Sequence, residues 1–68
     1  MAADLRPTGR QLARARRRAG FTQVALAAQL GVTGQRICSL EGTARVTLKA
    51  SARYTRALDE LLAGRENR

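Results

Sequence analysis

Glutamine, arginine and serine stand at positions 35, 36 and 39 of a 68-residue chain, just after Thr33 and Gly34. Read as one side of a helix, they offer an amide, a guanidinium and a hydroxyl, with no acid among them. Those groups match the hydrogen-bonding edges that base pairs expose in the DNA major groove: Gln pairs twofold with adenine, Arg with guanine, and Ser discriminates weakly. The expected chemistry is recognition, not bond making. The chain has no histidine, the commonest general base, and its one cysteine, Cys38, has no evident base partner. One cysteine excludes an internal disulfide, and no Cys/His cluster offers a metal site. No enzyme, cofactor or small-molecule ligand is expected. Cys38 itself reads as a small, half-buried spacer.

Residues 22–42 must position this set, and they read as two short helices around a tight turn. Thr22 is an N-cap candidate. Leu26, Ala27 and Leu30 share one helical face. Gly31 can take the left-handed conformation that ends a helix, and Val32 is expected to plug the angle between the helices. Thr33 is a second N-cap, Ile37 and Leu40 form an inward stripe, and Gly42 is a stop. Gln35, Arg36 and Ser39 point away from that stripe. A helix-turn-helix with readers on its second helix is a DNA-binding unit in outline.

The flanking sequence supplies the rest of the bundle. Residues 1–7 read as an arm, since Pro7 pushes Arg6 out of helical geometry; Arg6 and Arg10 either reach phosphates or fray in solvent. A first helix is expected from Thr8 or Gly9 to Ala19, stopped by Gly20, with Leu12, Ala15, Arg16 and Ala19 inward. Arg10, Arg14, Arg17 and Arg18 form its solvated side. Arg16 on the inward side needs a partner, and Glu41 is the only acid between Asp4 and Asp59. The two are expected to pair and tie the first helix to the third. Phe21 should anchor the next loop in the core, with Val24 and Ala25 outward. Residues 43–46 form a link in which Thr43 and Arg45 are placed to meet phosphates. A last helix is expected from the Thr47 cap to about Ala63, with Gly64 beyond it. Its stripe is Ala50, Tyr54, Ala57, Leu58 and Leu61. The cluster Leu58, Leu61 and Leu62 either completes the core or forms a dimer interface. The domain therefore spans 8–64, and 65–68 is a polar tail.

Composition agrees with one small all-α domain. Apolar residues make up 44% and aromatics only 3%, so Leu, Ala, Val and Ile must build the core, which suits packed helices. Thirteen Lys and Arg against five acids give a net charge of +8, a field that attracts polyanions. Single-stranded RNA is a poor fit, because stacking platforms are aromatic and both Phe21 and Tyr54 look committed to the core. No apolar run approaches the roughly 20 residues of a membrane span.

From about Leu12 to Leu62 the chain resembles the helix-turn-helix repressors of the phage-repressor (Xre/Cro-type) family. The likeness is carried by Arg16 ahead of Gly20-Phe21-Thr22-Gln23, by Leu26-Ala27, by Leu30-Gly31-Val32-Thr33, and by Ile37, Leu40 and Glu41 at the family's spacing. It implies a compact lambda-repressor-like bundle of four to five helices. It also implies that Gln23 holds a phosphate and braces the recognition helix, that Gly34, Gln35, Arg36 and Ser39 face the bases, and that Arg16 and Glu41 form a structural ion pair. Three departures stand out. Gly34 has no side chain where many members carry a polar reader, the loop after Glu41 is about one residue short, and the last helix reads as continuous. The function expected is a sequence-specific regulator of transcription, most simply a repressor, in the cytoplasm of a bacterium or encoded by a phage or plasmid, and associated with the nucleoid. A homodimer would place its third helices in a near-palindromic double-stranded operator, with half-sites roughly 34 Å apart. Thr22, Gln23, Thr33, Thr43 and Arg45 are the expected phosphate contacts. The alternative is an antitoxin-like or adaptor protein that binds a protein partner first and DNA second.

Overall fold

Four threonines open the four helices. The structure, a computed structural model, describes residues 5–66, and in them α1 spans Gly9–Ala19, α2 Gln23–Leu30, α3 Gly34–Glu41 and α4 Leu48–Glu66. Thr8 Oγ1 accepts the Gln11 N–H at 3.0 Å while Gln11 Oε1 accepts the Thr8 N–H at 2.8 Å, a reciprocal capping box. Thr22, Thr33 and Thr47 accept from the N–H groups of Ala25, Arg36 and Ala50 at 3.0, 3.1 and 3.1 Å. Each cap satisfies a donor that the first helical turn leaves without a partner. Gly20 and Gly31, at φ 83° and 72°, close α1 and α2 in the left-handed region, where a side chain would be strained. Through these turns the Phe21 N–H reaches the Arg16 carbonyl at 3.2 Å and the Val32 N–H reaches that of Ala27 at 2.9 Å. The bundle is all-α, with four helices and no strand among the described residues. None of the helices is long and apolar enough to cross a membrane.

Helix α2 packs on α3 and α4, and α1 packs on the same two. The core at their meeting is Leu12, Leu26, Ala27, Ile37, Val46, Tyr54, Ala57 and Leu58, with Phe21, Leu30, Leu40, Ala50 and Leu61 against its edge. Several sequence expectations shift. On α1 the inward alanine is Ala13, and Ala15 is exposed, because the helix rotates to bring Gly9 and Arg16 against α3. Val32 does not fill the turn and stays 36% exposed, since the left-handed Gly31 turns it to the edge of the bundle. Phe21 is half-buried, not central. Leu58 is buried in the core and offers no surface to a second chain, while Leu61 and Leu62 are half-buried. Gly64 does not stop α4, which continues through Arg65. The Arg65 guanidinium lies 4.1 Å from the Phe21 ring centroid and donates to the Ala19 carbonyl at 2.8 Å, so the expected polar tail begins as a helical brace. Its last residues, 67–68, lie outside the described residues, as do 1–4 of the expected arm.

The rest of that arm is tied down. The Val46 N–H donates to the Pro7 carbonyl at 2.8 Å, the Gly9 N–H to that of Thr43 at 2.9 Å, and Arg45 Nη1 to that of Arg6 at 3.0 Å. These bonds explain why Val46, in a loop with no apolar period, is 1% exposed. They also bring Gly9 so close to the end of α3 that a Cβ there would lie inside contact distance of the Leu40 and Glu41 carbonyl oxygens. Both obstacles are backbone and cannot swing aside. Gly9→Ala is expected to lower unfolding free energy by about 1–3 kcal/mol. Gly64→Ala, which meets open space inside a helix, should raise it by about 0.5–1 kcal/mol. Urea midpoints of the two variants check both signs.

Candidate nucleic-acid interface

One carboxylate fixes the helix that carries the candidate readers. Glu41, in the last turn of α3, receives four hydrogen bonds. Arg16 Nη2 and Gln23 Nε2 donate to Oε1, each at 3.0 Å, and Arg16 Nε and Tyr54 Oη donate to Oε2 at 2.8 and 2.6 Å. The ion pair expected from the sequence is present, with side chains only 8% and 6% exposed. Arg16 Nη1 also donates to the Phe21 carbonyl at 2.8 Å. The carboxylate therefore joins all four helices and the α1–α2 turn.

The titration of the cluster follows from this geometry. Burial pushes the Glu41 carboxyl up, but the bonds from Arg16, Tyr54 and Gln23 outweigh it and hold the group below its usual range. Its hydrogen bond with Glu41 raises the Arg16 guanidinium further. Burial first, and then donation to Glu41, pushes the Tyr54 phenol well above its ordinary value. All three are thereby locked in the forms the bonds require: carboxylate, guanidinium, neutral phenol.

With Ile37 buried and Leu40 and Glu41 turned inward, α3 presents Gln35, Arg36, Cys38 and Ser39 as exposed residues, with Gly34 half-buried at its start. Cys38 is thus not the half-buried spacer expected from the sequence: it lies one helical turn from Gly34 on the open side of α3. No Cβ at Gly34 would meet anything within 4 Å. Gln35 and Ser39, one turn apart, occupy the middle of the face opposite Ile37, and Arg36 flanks them on the Leu40 side.

The expected phosphate contacts differ in what they have left to give. The hydroxyls of Thr22 and Thr33 serve as cap acceptors and retain their O–H as a donor. Both sit at helix N-termini, where an anion is favoured. Gln23 directs its amide nitrogen to Glu41, which makes it a brace of α3. Thr43 Oγ1 donates to the Ser39 carbonyl at 3.0 Å and its N–H to that of Leu40 at 3.1 Å, so its proton donors face the protein. Arg45 Nη1 donates to the Arg6 carbonyl at 3.0 Å, which holds its side chain beside the arm. Among the described residues no group of three or more His, Cys, Asp or Glu is placed to hold a metal. Sequence reasoning missed Tyr54 as the third donor side chain of the cluster; its only signal was a lone tyrosine on an inward stripe, whose hydroxyl had to find a buried partner.

Comparison with protein-family models, with curated proteins and with solved structures gives no match to this chain.

The charge-locked cluster sets the pH range of the fold. Glu41 has its folded value below its unfolded one, so its contribution is complete above about pH 4.3 and is lost as pH falls through the folded value. Tyr54 has its folded value raised, so its contribution is complete below the ordinary tyrosine value of 10.0 and is lost as pH rises beyond it. Unfolding free energy measured against pH should be level between those limits and fall on either side. Tyr54→Phe should lower the plateau by about 1.5–3 kcal/mol, the range for a hydrogen bond to a charged group, and flatten the alkaline limb. Arg16→Met, which strands the carboxylate, should cost about 3–5 kcal/mol.

Proposed function

We propose that this chain is a sequence-specific double-stranded DNA-binding regulator of transcription, in which α3 enters the major groove. The observation that carries the reading is the exposed, acid-free face of α3, Gln35, Arg36 and Ser39, on a helix whose other side is fixed by the Glu41 cluster. The net charge of +8 supplies sequence-independent, salt-sensitive attraction, and Thr22, Thr33 and Arg45 set the register on phosphates. Gln35 reads adenine and Arg36 guanine. The resemblance to Xre/Cro-type repressors points the same way, as does the preformed Thr-capped turn between α2 and α3. One short helix covers only a few base pairs, so two copies on a near-palindromic operator are required for useful specificity, with half-sites roughly 34 Å apart. The setting we propose is the nucleoid in the cytoplasm, and the simplest output is repression by occluding a promoter.

Selection from a random duplex pool tests the reading. The expected winner is two-fold symmetric and is bound at least roughly 10³-fold more tightly than scrambled duplex at near-physiological salt. A pool with no enrichment, and binding that disappears with added salt, would overturn it and favour the adaptor role. On the selected site, Arg36→Ala should weaken binding about tenfold or more while leaving scrambled duplex little changed, as a base contact requires. An equal loss on both duplexes would assign Arg36 to phosphate.

A further inference from the structure

Beside the reading face lies a groove that the fold does not fill. Its floor is Leu30 at the end of α2, Val32 in the turn, Leu40 on α3 and Ala50 on α4, and its walls are Arg36 and Arg53. No carboxylate lines it, and neither guanidinium has a partner among the described residues. Val32 is one of the few large apolar side chains left open to solvent. Its position is preset, because Gly31 is held left-handed and the Val32 N–H is fixed on the Ala27 carbonyl. The floor therefore exists before any partner arrives.

An apolar floor between two cations calls for an occupant with apolar groups flanked by anions. A DNA duplex has the anions but almost no apolar surface to seat. A second copy of this chain brings a charge of +8 to a wall that is already cationic. An acidic amphipathic segment of another protein has both parts, and it can lay an aliphatic side chain at i and i+4 on the floor while carboxylates meet Arg36 and Arg53. We propose that this groove is the docking site for such a segment. Arg36 belongs to both surfaces, so a docked carboxylate withdraws it from the base edges and binding of peptide and of operator become antagonistic. That antagonism rests on the proposed function; docking itself does not.

The probe is a labelled 14-residue amphipathic peptide built of leucine and glutamate, with an all-glutamate peptide of equal charge as control. Binding is followed by anisotropy at near-physiological salt, and far-UV circular dichroism verifies that each variant folds. The leucine-containing peptide should bind at least tenfold more tightly than the control. Val32→Ser and Arg53→Glu should each weaken it tenfold or more, whereas Arg14→Glu, in the separate depression between α1 and Leu62, should change it less than threefold. Binding that ignores Val32→Ser, or falls equally with Arg14→Glu and Arg53→Glu, would reduce the groove to net charge and overturn the proposal. In a second titration the selected duplex should displace the peptide. Peptide and duplex bound together without competition would overturn the antagonism. A protein that binds the peptide through Val32 and Arg53 but enriches no duplex would keep the docking site and remove the DNA reading.

Discussion

The bundle depends on a single buried carboxylate. A negative charge in the last turn of α3 opposes the helix dipole, and burial adds a desolvation cost. Neither local propensity nor hydrophobicity would put Glu41 there. It is tolerated because Arg16, Gln23 and Tyr54 bring four donors to its two oxygens from three other helices. Helices α2 and α3 have eight residues each, fewer than an isolated helix needs to persist in water. Their order comes from tertiary contacts, and this cluster is the one polar contact that all four elements share. Around it the apolar core, from Leu26 to Tyr54, fixes distance, while the directional bonds fix rotation.

A second constraint is the close approach of α1 to the end of α3. Gly9 has no side chain where two carbonyls arrive, and the same approach lets its N–H bond Thr43 and the Val46 N–H bond Pro7. The loop between α3 and α4 is thereby held by backbone groups and needs little from its own side chains. At the opposite end, Arg65 satisfies the Ala19 carbonyl and lies over Phe21, a cation on the negative end of α1. Polar groups at both ends, more than the modest core between them, define how the helices meet.

Much of this was legible in the residues. Threonine before an apolar period and glycine after it located the starts and the first three stops, because caps act locally. The Arg16–Glu41 pair was legible through scarcity: an inward arginine had one acid to meet. What was not legible depends on approach, not on pattern. Ala13 and Ala15 are alike in a helical period, and only the fit of Gly9 against α3 decides between them. Val46 lies before the Thr47 cap, outside the helix whose stripe it would continue, and its place in the core is fixed where its N–H meets the Pro7 carbonyl. Gly64 reads as a stop, yet a glycine inside a helix costs only about 1 kcal/mol, and the contacts of Arg65 lie beyond it. For the candidate site, the side of α3 that faces outward and the bracing of that helix by Gln23 were correctly read, whereas Cys38 was placed too deep, and Thr43 was credited with donors that the protein itself engages.

The length of α3 and the place of Glu41 in it have a consequence for how its surface behaves. Two turns of helix anchored at their last residue cannot unravel piecemeal: loosening the C-terminal turn breaks the bonds that join α1, α2 and α4 as well. Local opening of α3 and global unfolding are then nearly the same event. Its outward side chains stand on a rigid, preordered support, so contact with a partner demands little ordering entropy from the backbone beneath them. Discrimination between partners is left to the side chains and the solvent they displace.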